Sequence, residues 1–121
     1  MKYLLLIYGQ EQVWKDMNPA QLEQMQQEFA QFREGIQASS NYIGGARLHF
    51  TSSATSVRVR DGKQLATDGP FAETKEQLGG YFLIEANNLD DAISIAAKIP
   101  AARMGTIEVR PVVETAVPAS A

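Results

Sequence analysis

The 121-residue sequence predicts a single α+β domain in which two helices cover one face of an antiparallel sheet. Three observations predict it. Two stretches place apolar residues at steps of three and four, the helical period. Short apolar or alternating runs of strand length separate them. Asp61-Gly62, between two such runs, is a strong two-residue hairpin signal.

The elements follow in order. Lys2 to Tyr8 is short and almost wholly apolar, as a central strand covered on both faces would be. Gly9 to Asn18 reads as a loop. Asn18-Pro19 opens a helix, with Asn18 as cap, Pro19 in the first turn and Gln21 where a capping box places Glu or Gln. Leu22, Met25, Phe29, Phe32 and Ile36 form its apolar stripe over roughly five turns. The opposite face is mostly Gln and Glu, with Arg33 near its end, and Ser39, Ser40 and Asn41 close the helix.

Tyr42 to Phe50 is expected to be the second strand, and Thr51 to Ala54 a polar break. Thr55 to Arg60 alternates Val57 and Val59 with Arg58 and Arg60, and Lys63 to Thr67 returns after the turn. Asp68 to Gln77 reads as a polar loop, and Gly79-Gly80 leads into the apolar strand Tyr81 to Ile84. Asn88 caps a second helix with the stripe Leu89, Ala92, Ile93, Ala96 and Ile99, and Pro100 stops it. Thr106 to Val113 is the last strand. The domain is thus residues 1–113, followed by a small, polar, flexible tail, 114–121.

With the hairpin set aside, this is βαββαβ, the ferredoxin-like pattern with an inserted β-hairpin. Leu4, Leu6, Phe82 and Ile84 cannot all point at the helices, so the other sheet face needs a cover. A face-to-face homodimer is the economical one.

Composition narrows the function. The net charge is −3 and no Lys or Arg block stands out, so direct nucleic-acid binding and adhesion to an anionic membrane are not indicated. With no cysteine, disulfides, thiolate catalysis and Cys-ligated zinc are excluded. The longest apolar run, Leu4 to Tyr8, is too short to span a bilayer or to serve as a signal h-region, so a cytoplasmic location is expected. One His cannot build a multi-His centre within a chain, and neither a metal nor another cofactor is expected. Gly44-Gly45 and Gly79-Gly80 lie outside any strand-to-helix phosphate loop and read as sites of close backbone approach.

Asp68-Gly69-Pro70-Phe71-Ala72-Glu73-Thr74-Lys75-Glu76, preceded by Val57 to Lys63 and followed by Gly79-Gly80-Tyr81, resembles the core signature of the YCII-related (DGPF) family. The front segment Met1 to Gly9, Pro100-Ala101-Ala102-Arg103, and Ile107 to Val112 agree with it in order. The resemblance implies a ferredoxin-like fold of the dimeric α/β-barrel type. It implies no particular reaction. Relatives have been suspected of small-molecule enzymology through a His and Asp pair, and others are linked to extracytoplasmic-function sigma factors. Relatives often carry His after the Ala-Ala-Arg segment, where this chain has Met104.

His49, the sole imidazole, is the candidate for neutral-pH acid/base work, paired with Asp68 or Glu73. The alternative is a strand histidine that faces solvent or holds structure. Asp68 to Phe71 also has a plain structural account: an Asx-turn at Asp68, positive φ at Gly69, a fixed Pro70, and Phe71 plugging a core. That account leaves the charges that follow unexplained. Glu73 and Lys75 are candidate ligand contacts, or else a loop ion pair or dimer contact. Arg47 and Tyr8 join the candidate ligand-binding set, with Tyr8 and Trp14 as pocket wall or as a hydrophobic staple, the latter favoured for Trp14. Arg58 and Arg60 read as a solvated or interface face. Arg103 reads as a partner for helix-end carbonyls, and Arg110 as a pocket residue paired with Glu108 or Glu85. The leading expectation is a small-molecule cleft at the sheet and dimer interface. The other is a protein-interaction or regulatory module, without catalysis, that acts beside a sigma factor.

Overall fold

The computed structural model describes residues 1–114. All but the first residue of the tail expected at 114–121 therefore lies outside the described residues. The elements are β1 (Lys2–Gly9), α1 (Glu11–Lys15), α2 (Pro19–Ala38), β2 (Tyr42–Arg47), β3 (Thr55–Arg60), β4 (Lys63–Asp68), β5 (Gln77–Glu85), α3 (Leu89–Ala96) and β6 (Thr106–Pro111). The main sheet has the order β2-β5-β1-β6, with every neighbouring pair antiparallel. The fold is ferredoxin-like α+β, and the β3-β4 hairpin forms a separate two-stranded sheet.

Strand alternation divides the main sheet into two faces. Tyr3 pairs with Ile84 and Leu5 with Phe82 on the helix-covered face, and all four are buried. Leu4 pairs with Leu83 and Leu6 with Tyr81 on the opposite face, where they are half-buried. Phe82 and Ile84 therefore both point at the helices, and the uncovered face rests on Leu4, Leu6, Tyr81 and Leu83. Its β6 edge is charged: Glu108 and Arg110 stand opposite Leu6 and Leu4 and pair at 2.8 Å.

The core forms because α2 and α3 bury their apolar stripes on that first face. Met25, Phe32 and Ile36 of α2 are buried, and Phe32 meets Phe82 edge-on at 5.1 Å between ring centroids. The capping box at Asn18 is complete, with reciprocal bonds of 2.9 and 2.8 Å to Gln21. In α3 the buried positions are Ala92, Ile95 and Ala96, followed by Ile99. The expected stripe is corrected at three places: Leu89 and Ile93 are exposed and Ile95 takes the inward position. The helix ends at Ala96, and Pro100 opens a 3-10 turn instead of following directly.

Other boundaries shift for local reasons. The expected loop after β1 contains α1. β2 stops at Arg47, and Leu48 adds only one further backbone bond, to the Gly79 carbonyl at 2.9 Å. β5 begins at Gln77, so Gly79 and Gly80 lie inside it. A Cβ on Gly80 would sit 2.9 Å from the Ala46 carbonyl oxygen, so the absence of a side chain lets β2 and β5 close together. The hairpin turn has φ of 53° at Asp61 and 72° at Gly62, the geometry of a type I′ turn.

Candidate ligand-binding site

A cavity of about 310 Å³ opens where α1 crosses the end of the main sheet beside α2. Three elements build it. The sheet supplies Ile7, Tyr8, Tyr81 and Phe82. The flank of α2 supplies Gln26, Phe29, Ala30 and Arg33, which recur at helical spacing. The end of β2 and the segment after it supply Arg47, Leu48, His49 and Phe50.

α1 has five residues, none buried, and is too short to hold by itself. It is held by side chains. Trp14 packs on Phe29 at 6.2 Å, the helix-stapling contact expected of it, and also lines the cavity. The Arg47 guanidinium lies 5.2 Å from the Trp14 ring centroid, and the Lys15 ammonium 5.1 Å from that of Phe50. Glu11 accepts from the Thr51 backbone N–H at 2.7 Å and from the Thr51 hydroxyl at 2.8 Å. The Glu11 N–H donates to the Gln77 side-chain carbonyl at 3.1 Å. Together the ties join α1 to α2, to the end of β2, to the β2–β3 connection and to the start of β5.

Of the residues singled out in the sequence, Tyr8, Arg47 and His49 line this cavity. Asp68, Glu73 and Lys75 do not line it. Asp68 is the exposed last residue of β4, opposite Thr55, and no carboxylate among the described residues comes within 4.0 Å of His49. The Asp68 turn is held by backbone: Gly69, at φ 95°, donates to the Ala54 carbonyl at 2.7 Å, and its own carbonyl accepts from the Ser56 hydroxyl at 2.8 Å. The expected Phe71 plug is corrected: Phe71 is 81% exposed, because among the described residues no layer covers the hairpin side of the loop. Glu73 and Lys75 are exposed and form no ion pair with each other.

Two further arginines find partners. Arg103 reaches Glu28 of α2 at 2.9 Å instead of the end of α3. Arg110 meets Glu108, one of its two expected partners, but does not line the cavity. In both, the hydrogen bond to the carboxylate, then its charge, holds the proton more firmly than usual on the guanidinium.

The YCII-related domain model matches residues 1–116. The chain belongs to the YCII-related family. An uncharacterised protein of Rhizobium meliloti (strain 1021) is 34% identical over 113 residues, covering 92% of this chain and 91% of that protein. In this YCII-related chain Met104, at the position where the resemblance leads one to expect His, lines the same cavity. His49 is thus the imidazole at its wall.

The cavity residues overlooked in the sequence are Glu11, Gln26, Arg33 and Gln77. A signal existed for α2: Gln26, Phe29, Ala30 and Arg33 are spaced as one flank beside the core stripe. Glu11 and Gln77 carried none, because the start of α1 and the start of β5, distant in sequence, meet only in the fold. No helix among the described residues is long and apolar enough to cross a membrane.

Proposed function

We propose that the protein binds a small organic molecule in the cavity under α1 and that His49 is the acid/base group acting on it. The observation that carries this reading is the cavity itself: a concave, largely apolar space with a few polar groups converging on it. At about 310 Å³ it lies at the small end of ligand sites, which run from about 300 to 1,000 Å³. Tyr8 and Arg47 are ligand contacts in this reading. The chain acts as a cytoplasmic homodimer, supported by the uncovered sheet face with Leu4, Leu6, Tyr81 and Leu83. A role for Asp68 beside His49, and for Glu73 and Lys75 as ligand contacts, needs a second copy to bring the partner's loop to the cavity mouth.

Trp14 is the single tryptophan of the sequence and lines the cavity, so its fluorescence reports occupancy directly. A screen of small metabolites is expected to yield saturable changes in that signal. His49→Ala is expected to keep binding and thermal stability while abolishing turnover of a converted ligand. Full turnover by His49→Ala removes the acid/base role.

The exposed apolar residues of the hairpin and loop, Val57, Val59 and Phe71, favour a second reading, a regulatory module that docks another protein such as a sigma factor. Co-purification of a sigma factor at micromolar protein, lost in Phe71→Ser, is its expected signature.

A further inference from the structure

The charges around the cavity do not balance, and the imbalance specifies a ligand class. Arg33 and Arg47 both line it. Among the described residues no carboxylate comes within 4.0 Å of either guanidinium. Each lies instead over an aromatic ring, Arg33 at 5.8 Å from the Tyr42 centroid and Arg47 at 5.2 Å from that of Trp14. A guanidinium held against a ring keeps its edge N–H groups free, in a planar fork that fits a carboxylate.

Among the described residues Glu11 is the one carboxylate in the cavity wall, and its two oxygens accept from the Thr51 N–H and the Thr51 hydroxyl. It anchors α1 and forms no ion pair with either arginine, and its single charge leaves the wall net positive. The Glu11 N–H, at the start of α1, is given to Gln77, so this helix end offers no ready cradle for a phosphate. The rest of the wall is largely apolar and aromatic, with Trp14, Phe29, Phe50 and Phe82 around a small volume and the neutral polar groups of Gln26 and Gln77 among them.

We infer that the cavity takes a small organic monoanion: a carboxylate on an aromatic or branched apolar body of about one ring. The carboxylate sits at the Arg47 and Arg33 wall and the body against Trp14 and Phe29. This rests on the cavity being the ligand site, as proposed above, and adds Arg33 as a binding residue.

The test uses the intact protein and three probes of one shape: 4-isopropylbenzoate, its neutral amide 4-isopropylbenzamide, and the cation 4-isopropylbenzylamine. Trp14 fluorescence, checked by calorimetry, reads the dissociation constants. The benzoate is expected to saturate the protein, the amide to bind about tenfold or more weakly, and the amine not to bind. Arg33→Gln and Arg47→Gln are each expected to weaken the benzoate about tenfold and to leave the amide unchanged. Both side chains are exposed, so the variants retain the fold. Equal binding of benzoate and amide, or equal weakening of both by the Gln variants, overturns the anion assignment and leaves the cavity as a ligand site. Failure of all three probes to change Trp14 fluorescence or release heat at millimolar concentration overturns both.

Discussion

Single residues in this chain act mostly through where the backbone brings them. Gly80 illustrates this: its missing side chain allows the Ala46 carbonyl to sit where a Cβ would be 2.9 Å away, and the Cα of Arg47 is 3.5 Å from the same point. Gly80→Ala must push β2 off β5. It is expected to lower stability by about 1–3 kcal/mol in chemical denaturation and to weaken ligand binding, because Arg47 ends the displaced strand. Met104 shows the opposite case. It faces the cavity in a position where relatives often carry His, so its replacement changes the chemistry of the wall without a backbone cost. Met104→His is expected to fold with little change in melting temperature and to add a second titrating group to the cavity, seen as a new imidazole signal in proton NMR.

At the scale of elements, α2 and α1 are held by different means. α2 carries its own start signal, and Asn18→Ala removes the side-chain oxygen that accepts from the Gln21 N–H. The expected loss is about 1 kcal/mol, read from the denaturant midpoint. The Arg103–Glu28 pair, which ties α2 to the turn after α3, lies at the surface and is screened. Its guanidinium has a raised pKa, so any stability it adds is present below the ordinary arginine pKa and lost only as pH rises through the raised one, in the strongly alkaline range. Arg103→Ala is therefore expected to leave the pH profile of melting unchanged between pH 5 and 9, roughly the range in which most proteins are stable. α1 has no such local support. Trp14→Ala removes its contact with Phe29 and the ring beneath Arg47. Residues 11–15 are then expected to lose amide-exchange protection while the main sheet keeps it.

For the whole molecule, the described residues of one chain leave two apolar regions without a cover. The sheet face opposite the helices holds Leu4, Leu6, Tyr81 and Leu83, and the hairpin side holds Val57 at 61%, Val59 at 62% and Phe71 at 81% exposure. A two-stranded hairpin is marginal alone, so these exposures favour a second copy packed against it. Light scattering at tens of micromolar is expected to give a dimer, and Val59→Lys with Phe71→Ser to shift it toward monomer. If His49 and Asp68 act across that interface, mixing the inactive His49→Ala and Asp68→Asn proteins restores about a quarter of wild-type turnover, since half the dimers are mixed and each holds one intact site. No recovery on mixing assigns catalysis to one chain.

The sequence by itself determined the fold class, the two helix starts, the hairpin turn and the family, because each rests on local spacing. Period, cap and turn residues act within a few positions of one another, and the Asp68 to Glu76 signature is contiguous. It also marked Tyr8, Arg47 and His49, which line the cavity. The tertiary structure decided the rest. Ile95 rather than Ile93 points inward because the roll of α3 on the sheet, not its own period, selects the buried face. Phe71 lies in the open because no described residue of the chain covers the hairpin. Glu11 meets Thr51, and Arg33 and Arg47 come to line one cavity, across separations in sequence that no local pattern encodes. The net positive charge of the cavity is a property of that packing: among the described residues it gathers two guanidiniums and one carboxylate around one space.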